Sequence, residues 1–139
     1  MSHLFVIGVP GCGGVLTAPA GIFSSPHHPE PYAHALDCEW LIRLPPLETV
    51  SIEFLSFEVE NARNCRYDFV EVREGNGPDG NLVGRYCGYN IPQPYRSLTN
   101  NLFIRFHSDE SVAHQGFRIK YEAACGGVFT QENIMLRSP

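Results

Sequence analysis

Apolar and polar residues alternate in short runs along this chain. Glu39–Leu44 sets Trp40, Ile42 and Leu44 against Glu39, Leu41 and Arg43. Val50–Phe57 lines up Val50, Ile52, Phe54 and Ser56 on one side. Asp68–Arg73 opposes Phe69 and Glu71 to Val70 and Val72. Leu102–Phe106 groups Leu102, Ile104 and Phe106, and Phe117–Tyr121 groups Phe117, Ile119 and Tyr121 opposite Arg118 and Lys120. A period of two with one wet face predicts antiparallel strands, because successive side chains leave a strand on opposite faces. Breakers separate the runs: Pro45-Pro46, the Gly-rich stretch 75–80, and Pro92-Gln93-Pro94. No window carries a helical period. Short strands with such turns predict an all-β domain, a compact antiparallel β-sandwich.

Composition adds limits to this picture. At 139 residues the chain has the length of one domain, long enough to bury a core. Its net charge of −5 supplies no basic footprint for nucleic acid. An acidic surface favours basic protein partners or cations. Leu4–Val9 is apolar but too short for a signal sequence, and no basic segment precedes it. No membrane span is visible, so membrane association is expected only through a partner or other domains.

The five cysteines are Cys12, Cys38, Cys65, Cys87 and Cys125. None forms a Cys-x-x-Cys pair, which argues against a zinc ribbon or a thioredoxin-type site. Four widely spaced cysteines suit two disulfides of an extracellular protein, with three connectivities open. Cys125 is explained by a repeat. Residues 12–26 open Cys-Gly-Gly-Val-Leu-Thr and close Ser-Pro; residues 125–139 open Cys-Gly-Gly-Val-Phe-Thr and close Ser-Pro in the same register. The expected organisation is a tag or upstream linker at 1–11, one module at 12–124, and the truncated start of a second at 125–139. A period this long means tandem domains rather than a solenoid.

Candidate chemistry lies in Phe57–Val72 (FEVENARNCRYDFVEV), which carries Glu58, Glu60, Asp68 and Glu71 around Cys65, and in His107-Ser108-Asp109-Glu110-Ser111. Carboxylates at loop mouths suit a hard cation such as calcium, although acidic strand ends are commonly just solvated. His27, His28 and His34 lie in a Pro-bounded loop, where histidines are more often exposed polar residues than metal ligands. His107, His114, Ser108, Ser111 and Asp109 contain the letters of a hydrolase triad, but no Gly-x-Ser-x-Gly elbow frames a serine. No enzyme is expected. Tyr89 and Tyr95 are the only support for a carbohydrate-binding surface.

The chain resembles a CUB domain over residues 12–123. The matching segments are Cys12-Gly13-Gly14, Ser25-Pro26-x-x-Pro29-x-x-Tyr32, Cys38-Glu39-Trp40, Cys65-Arg66-Tyr67-Asp68-Phe69-Val70-Glu71-Val72, Arg85-Tyr86-Cys87-Gly88, Phe106-His107-Ser108-Asp109 and Gly116-Phe117. Each is weak alone; together they are specific. The resemblance implies a jelly-roll-like sandwich with disulfides Cys12–Cys38 and Cys65–Cys87. It extends to the calcium-binding subset, which implies Ca2+ held by Glu60, Asp68, Asp109 and the backbone carbonyl of Ser111, with Tyr32 in support. In that subset a Lys or Arg of a protein ligand docks on the calcium-organised pocket, here Tyr32, Glu60 and Asp109. One departure is Pro26-His27-His28-Pro29, where the family commonly has Asn-Tyr; it changes the loop surface without touching the carboxylates.

Abutting modules that open Cys-Gly-Gly resemble the tandem CUB arrays of endocytic receptors. The expected function is therefore an extracellular, calcium-dependent protein-binding module with adjacent CUB modules beside it. The alternative is a noncatalytic docking or dimerisation arm of a secreted complement- or tolloid-like protease.

Overall fold

In the computed structural model, residues 11–109 and 113–125 are described. Among the described residues, nine strands form two sheets. They are β1 (Gly14–Leu16), β2 (Ala20–Ser24), β3 (Asp37–Arg43), β4 (Glu48–Glu58), β5 (Phe69–Glu74), β6 (Leu82–Tyr86), β7 (Tyr95–Arg96), β8 (Asn101–His107) and β9 (Gly116–Cys125). The first sheet runs β1-β3-β8-β5-β6 and the second β2-β9-β4-β7. All pairings are antiparallel except that of β1 with β3 at the sheet edge. The expected sandwich is present, with both disulfides, Cys12–Cys38 and Cys65–Cys87.

The core lies between the sheets. β3 contributes Cys38, Trp40 and Ile42; β8 contributes Leu102, Ile104 and Phe106; β5 contributes Val70 and Val72. Facing them are Val50, Ile52, Phe54 and Phe57 of β4 and Phe117, Ile119 and Tyr121 of β9. A run of tilted and edge-on rings passes through this layer. Phe23 meets Trp40 at 5.0 Å, Trp40 meets Phe117 at 5.8 Å, Phe117 meets Phe106 at 5.2 Å, and Phe106 meets Tyr32 at 5.0 Å. Such pairs contribute about 0.5–1.5 kcal/mol each beyond burial. The run delivers the Tyr32 ring to one end of the sandwich.

Two features depart from simple alternation. The face expected to hold Ser56 with Val50, Ile52 and Phe54 ends early, because the β4–β9 register shifts between Phe54 and Ser56. One extra residue reverses the facing of all that follows. Phe57 and Val59 therefore turn inward, and the Ser56 hydroxyl meets His28 Nε2 at 3.0 Å. The second departure is on β5 and β8, whose expected wet face is covered. Phe69, Glu71 and Phe103 are buried there alongside the core-facing valines. Arg85 lies 3.9 Å over the Phe69 ring and reaches Glu71 Oε2 at 2.6 Å, so its stem and charge seal the face.

Candidate metal centre

Three loops meet at the end of the sandwich where β4 and β8 finish and β5 begins. The first follows β4. Val59 pairs with Gly88 across an isolated bridge, with N–H to carbonyl distances of 3.0 and 2.9 Å. A short 3₁₀ turn, Arg63–Cys65, comes next, and Cys65–Cys87 ties it to the end of β6. The loop from Glu60 to Asp68 is thereby fixed at both ends. The second loop carries Tyr32 and the third carries Ser108 and Asp109. Ser108 joins these two: its hydroxyl donates to the Ala33 carbonyl and accepts from the Leu36 N–H, both at 2.9 Å. Gly116 closes the arrangement from below at φ +91°, where an added Cβ would lie 1.9 Å from Ser25 Oγ. That hydroxyl accepts the Phe117 N–H at 3.1 Å, so no side chain fits there.

Asp68 is the fully buried centre, at 0% exposure. Its Oδ2 accepts the Tyr32 hydroxyl and its Oδ1 accepts the Asp109 N–H at 2.8 Å. The Tyr32 oxygen in turn accepts the Glu60 N–H at 3.2 Å. The result brings one carboxylate oxygen each of Glu60, Asp68 and Asp109 within 4.8 Å of one another. Burial pushes the Asp68 carboxyl above its ordinary range, opposed by the Tyr32 and Asp109 hydrogen bonds. Burial and the charges of Asp68 and Asp109 push Glu60 up as well. Burial, then Asp68, raises the Tyr32 hydroxyl. Like charges gathered out of water raise carboxyl pKa values because ionising each one burdens the others.

The fit to a hard cation rests on one atom. Glu60 Oε1 is buried and has no hydrogen-bond partner. An unpaired buried carboxylate oxygen is costly. Here it belongs to one of three carboxylates whose oxygens already converge, and an oxygen-only donor set suits calcium. Glu60, Asp68 and Asp109, nominated from sequence, thus come together with Tyr32 beneath them. Ser111 lies outside the described residues. Glu58 does not join: it pairs with His114 Nδ1 at 3.3 Å. Glu71 does not join either, since it faces Arg85 and Arg73 on the outer face of the first sheet.

The other candidates disperse. Among the described residues no metal-holding cluster includes His27, His28 or His34. His107 stacks on Phe69 at 5.3 Å while the Ser108 hydroxyl is committed to the backbone, so among the described residues the triad letters do not assemble around Ser108. The Tyr95 hydroxyl donates to Glu74, and Tyr89 packs edge-on against His114. Ser108 was missed as a positioning residue. Its signal, a serine directly before Asp109, was visible but lacked a partner until Leu36 and Ala33 were brought beside it.

Comparison with known proteins follows the same outline. A family model described as "CUB domain" matches residues 12–121. A bone morphogenetic protein 1 homolog of the sea urchin Strongylocentrotus purpuratus is 38% identical over 130 residues, covering 94% of this chain and 20% of that protein. Human cubilin is 39% identical over 133 residues, covering 92% of this chain and 4% of its own length. The chain therefore spans a small part of these curated relatives. Among solved structures, the MASP-1 CUB2 domain bound to Ca2+ superposes with a TM-score of 0.72 at 29% identity, covering 80% of this chain and 99% of that one.

Proposed function

The chain belongs to the CUB domain family, and on that premise we propose that residues 12–124 are a calcium-dependent protein-binding module of an extracellular tandem CUB array. A CUB domain is a noncatalytic interaction module, and two disulfides belong to an oxidising, extracellular setting. The observation that carries the calcium reading is the convergence of Glu60, Asp68 and Asp109 with the unpartnered Glu60 Oε1 among them. Likeness to the calcium-bound MASP-1 CUB2 domain supports it. Ca2+ there would supply the positive charge that the three carboxylates lack and hold their loops together. Ser111 would complete the set through its carbonyl.

Glu60 and Asp109 are half-buried, so they keep a face toward solvent. A Lys or Arg of a protein ligand docks on that face through charge-assisted hydrogen bonds. Tyr32 is 2% exposed, which confines its part in docking to the hydroxyl. One such contact is modest, so affinity is built from several modules at once. The second Cys-Gly-Gly-Val-x-Thr at Cys125 supports adjacent CUB modules as neighbours. Identities of 38% and 39% to the sea urchin protein and to cubilin support the chemistry of the module more than either parent. An endocytic receptor is the parent we favour, since the repeat follows Ala124 with no linker.

Calorimetric titration of the 139-residue chain with calcium, beside Asp109→Ala, tests the reading. Saturable binding at roughly 10⁻⁴–10⁻³ M, lost in the variant, is expected. Calcium binding that survives Asp109→Ala removes the site assignment. Absence of binding at millimolar calcium reduces the module to a structural repeat.

A further inference from the structure

The opposite end of the sandwich displays two leucines. Leu47 is 85% exposed and Leu98 is 82% exposed, the highest values among the large hydrophobic residues described. Both stand on tightly held turns. Pro45-Pro46-Leu47-Glu48 is closed by a Glu48 N–H to Pro45 carbonyl bond of 3.2 Å, and Leu47 has φ 78°. Proline followed by a left-handed residue is the pattern of a type II turn, where the second central position ordinarily holds glycine. A bulky side chain there is strained, and strain of this kind points to a use for the side chain. Leu98 is held by its N–H to Glu74 Oε2 at 2.8 Å, and its neighbour Ser97 bonds Val50 in both directions, at 2.7 Å each. The two turns are joined: Leu44 N–H meets the Asn100 carbonyl at 2.9 Å, and Asn100 Nδ2 meets the Leu44 carbonyl at 2.7 Å.

This is also the end from which the chain continues. β9 finishes there with Cys125 in register with Glu48, the residue after Leu47. The polypeptide that follows, Gly126 to Pro139, contains Val128, Phe129, Ile134, Met135 and Leu136. Its extended reach of about 46 Å far exceeds what is needed to return to the turns. We infer that residues 126–139 dock on Leu47 and Leu98, making this end the joint with whatever module that segment opens. The carboxylate cluster follows the far end of β4, which runs from Glu48 to Glu58. At about 3.3 Å per residue that strand separates joint from pocket by roughly 33 Å. A joint at the leucine end leaves the carboxylates open to a partner, and it does not depend on calcium.

Methyl-resolved NMR on the 139-residue chain tests this, beside the same chain ended at Cys125 and beside the Leu47→Gly/Leu98→Ser double variant. Contacts from the Leu47 and Leu98 methyls to protons of 126–139 are expected, together with shift changes confined to 44–48 and 97–101 when the segment is removed. In the double variant the 126–139 amides should lose their exchange protection. The β4 and β9 amides serve as the folding control, and Leu47→Gly relieves the turn rather than straining it. Leucine methyls unmoved by removal of 126–139 overturn the inference. So does concentration-dependent pairing through these leucines with 126–139 unprotected, which would give the surface to a second copy.

Discussion

Asp68 holds the carboxylate pole together in two different ways, and substitution separates them. As a buried acceptor it satisfies the Tyr32 hydroxyl and the Asp109 N–H. As an anion it would supply charge to the proposed calcium ion. Asp68→Ala removes both roles and leaves two donors in a dry site, at about 1–3 kcal/mol for each unsatisfied group. Asp68→Asn keeps the shape. Its carbonyl oxygen still accepts from Asp109 and its amide donates to the Tyr32 oxygen, so only the Tyr32 O–H loses its acceptor. Asp68→Asn is therefore expected to melt between the parent chain and Asp68→Ala and to bind no calcium. Calorimetric titration and thermal melts check the pair; calcium binding retained by the Asn variant would remove Asp68 from the ligand set. At this scale much was legible. The convergence of Glu60, Asp68 and Asp109, with Tyr32 beneath them, follows from motif positions. That Glu58 and Glu71 stand aside was not legible, because His114, Arg73 and Arg85 claim them only after folding.

Among the elements, the long strands were readable because each carries several apolar residues at period two. The short ones, β1, β2, β6 and β7, were not: two to five residues leave no period to count. Nor was the bulge of β4 read, although the apolar set changes phase there, from Val50, Ile52 and Phe54 to Phe57 and Val59; the adjacent Phe54-Leu55 pair was its signal. The bulge matters for the site, since it sets the facing of Phe57 and Val59 and so the path into Glu60. The disulfides divide the work differently. Their sequence separations of 26 and 22 predict similar chain-entropy contributions, about 2–4 kcal/mol each. Only Cys65–Cys87 closes the loop between Glu60 and Asp68. Replacing Cys65 and Cys87 by serine should weaken calcium binding more than replacing Cys12 and Cys38 does, at comparable loss of melting temperature. Equal effects on calcium would mean that the loop is held by the Val59–Gly88 bridge alone.

For the whole molecule, the pole is a site of stored repulsion, and pH shows it. Asp68 and Glu60 have folded-state pKa values raised above their ordinary 3.8 and 4.5. A raised carboxyl binds protons more tightly in the folded state. Its contribution to stability is complete below the ordinary value and is lost as pH rises through the folded one. Once pH has risen through those folded-state values, the ion-free fold carries the cost of the ionised cluster. His28 works the other way: its pKa is lowered, chiefly by burial and then by Arg118. The unfolded chain then takes up the proton first, and stability falls as pH drops through the ordinary value of 6.5. Asp37 is lowered, chiefly by its hydrogen bond to Arg105. Its contribution is present above 3.8 and fades only as pH falls through the depressed value, beneath the window of interest. The histidine and Asp37 contributions are common to chains with and without calcium, so the difference between the two isolates the pole. The rise in melting temperature produced by millimolar calcium should be largest near neutrality. It should shrink as pH falls through the raised values of Asp68 and Glu60, where protons take the place of the ion, and it should vanish in Asp109→Ala at every pH. Melts across this range, with calcium and with chelator, read it directly. An increment that does not change with pH would mean that the cation binds elsewhere than on these carboxylates.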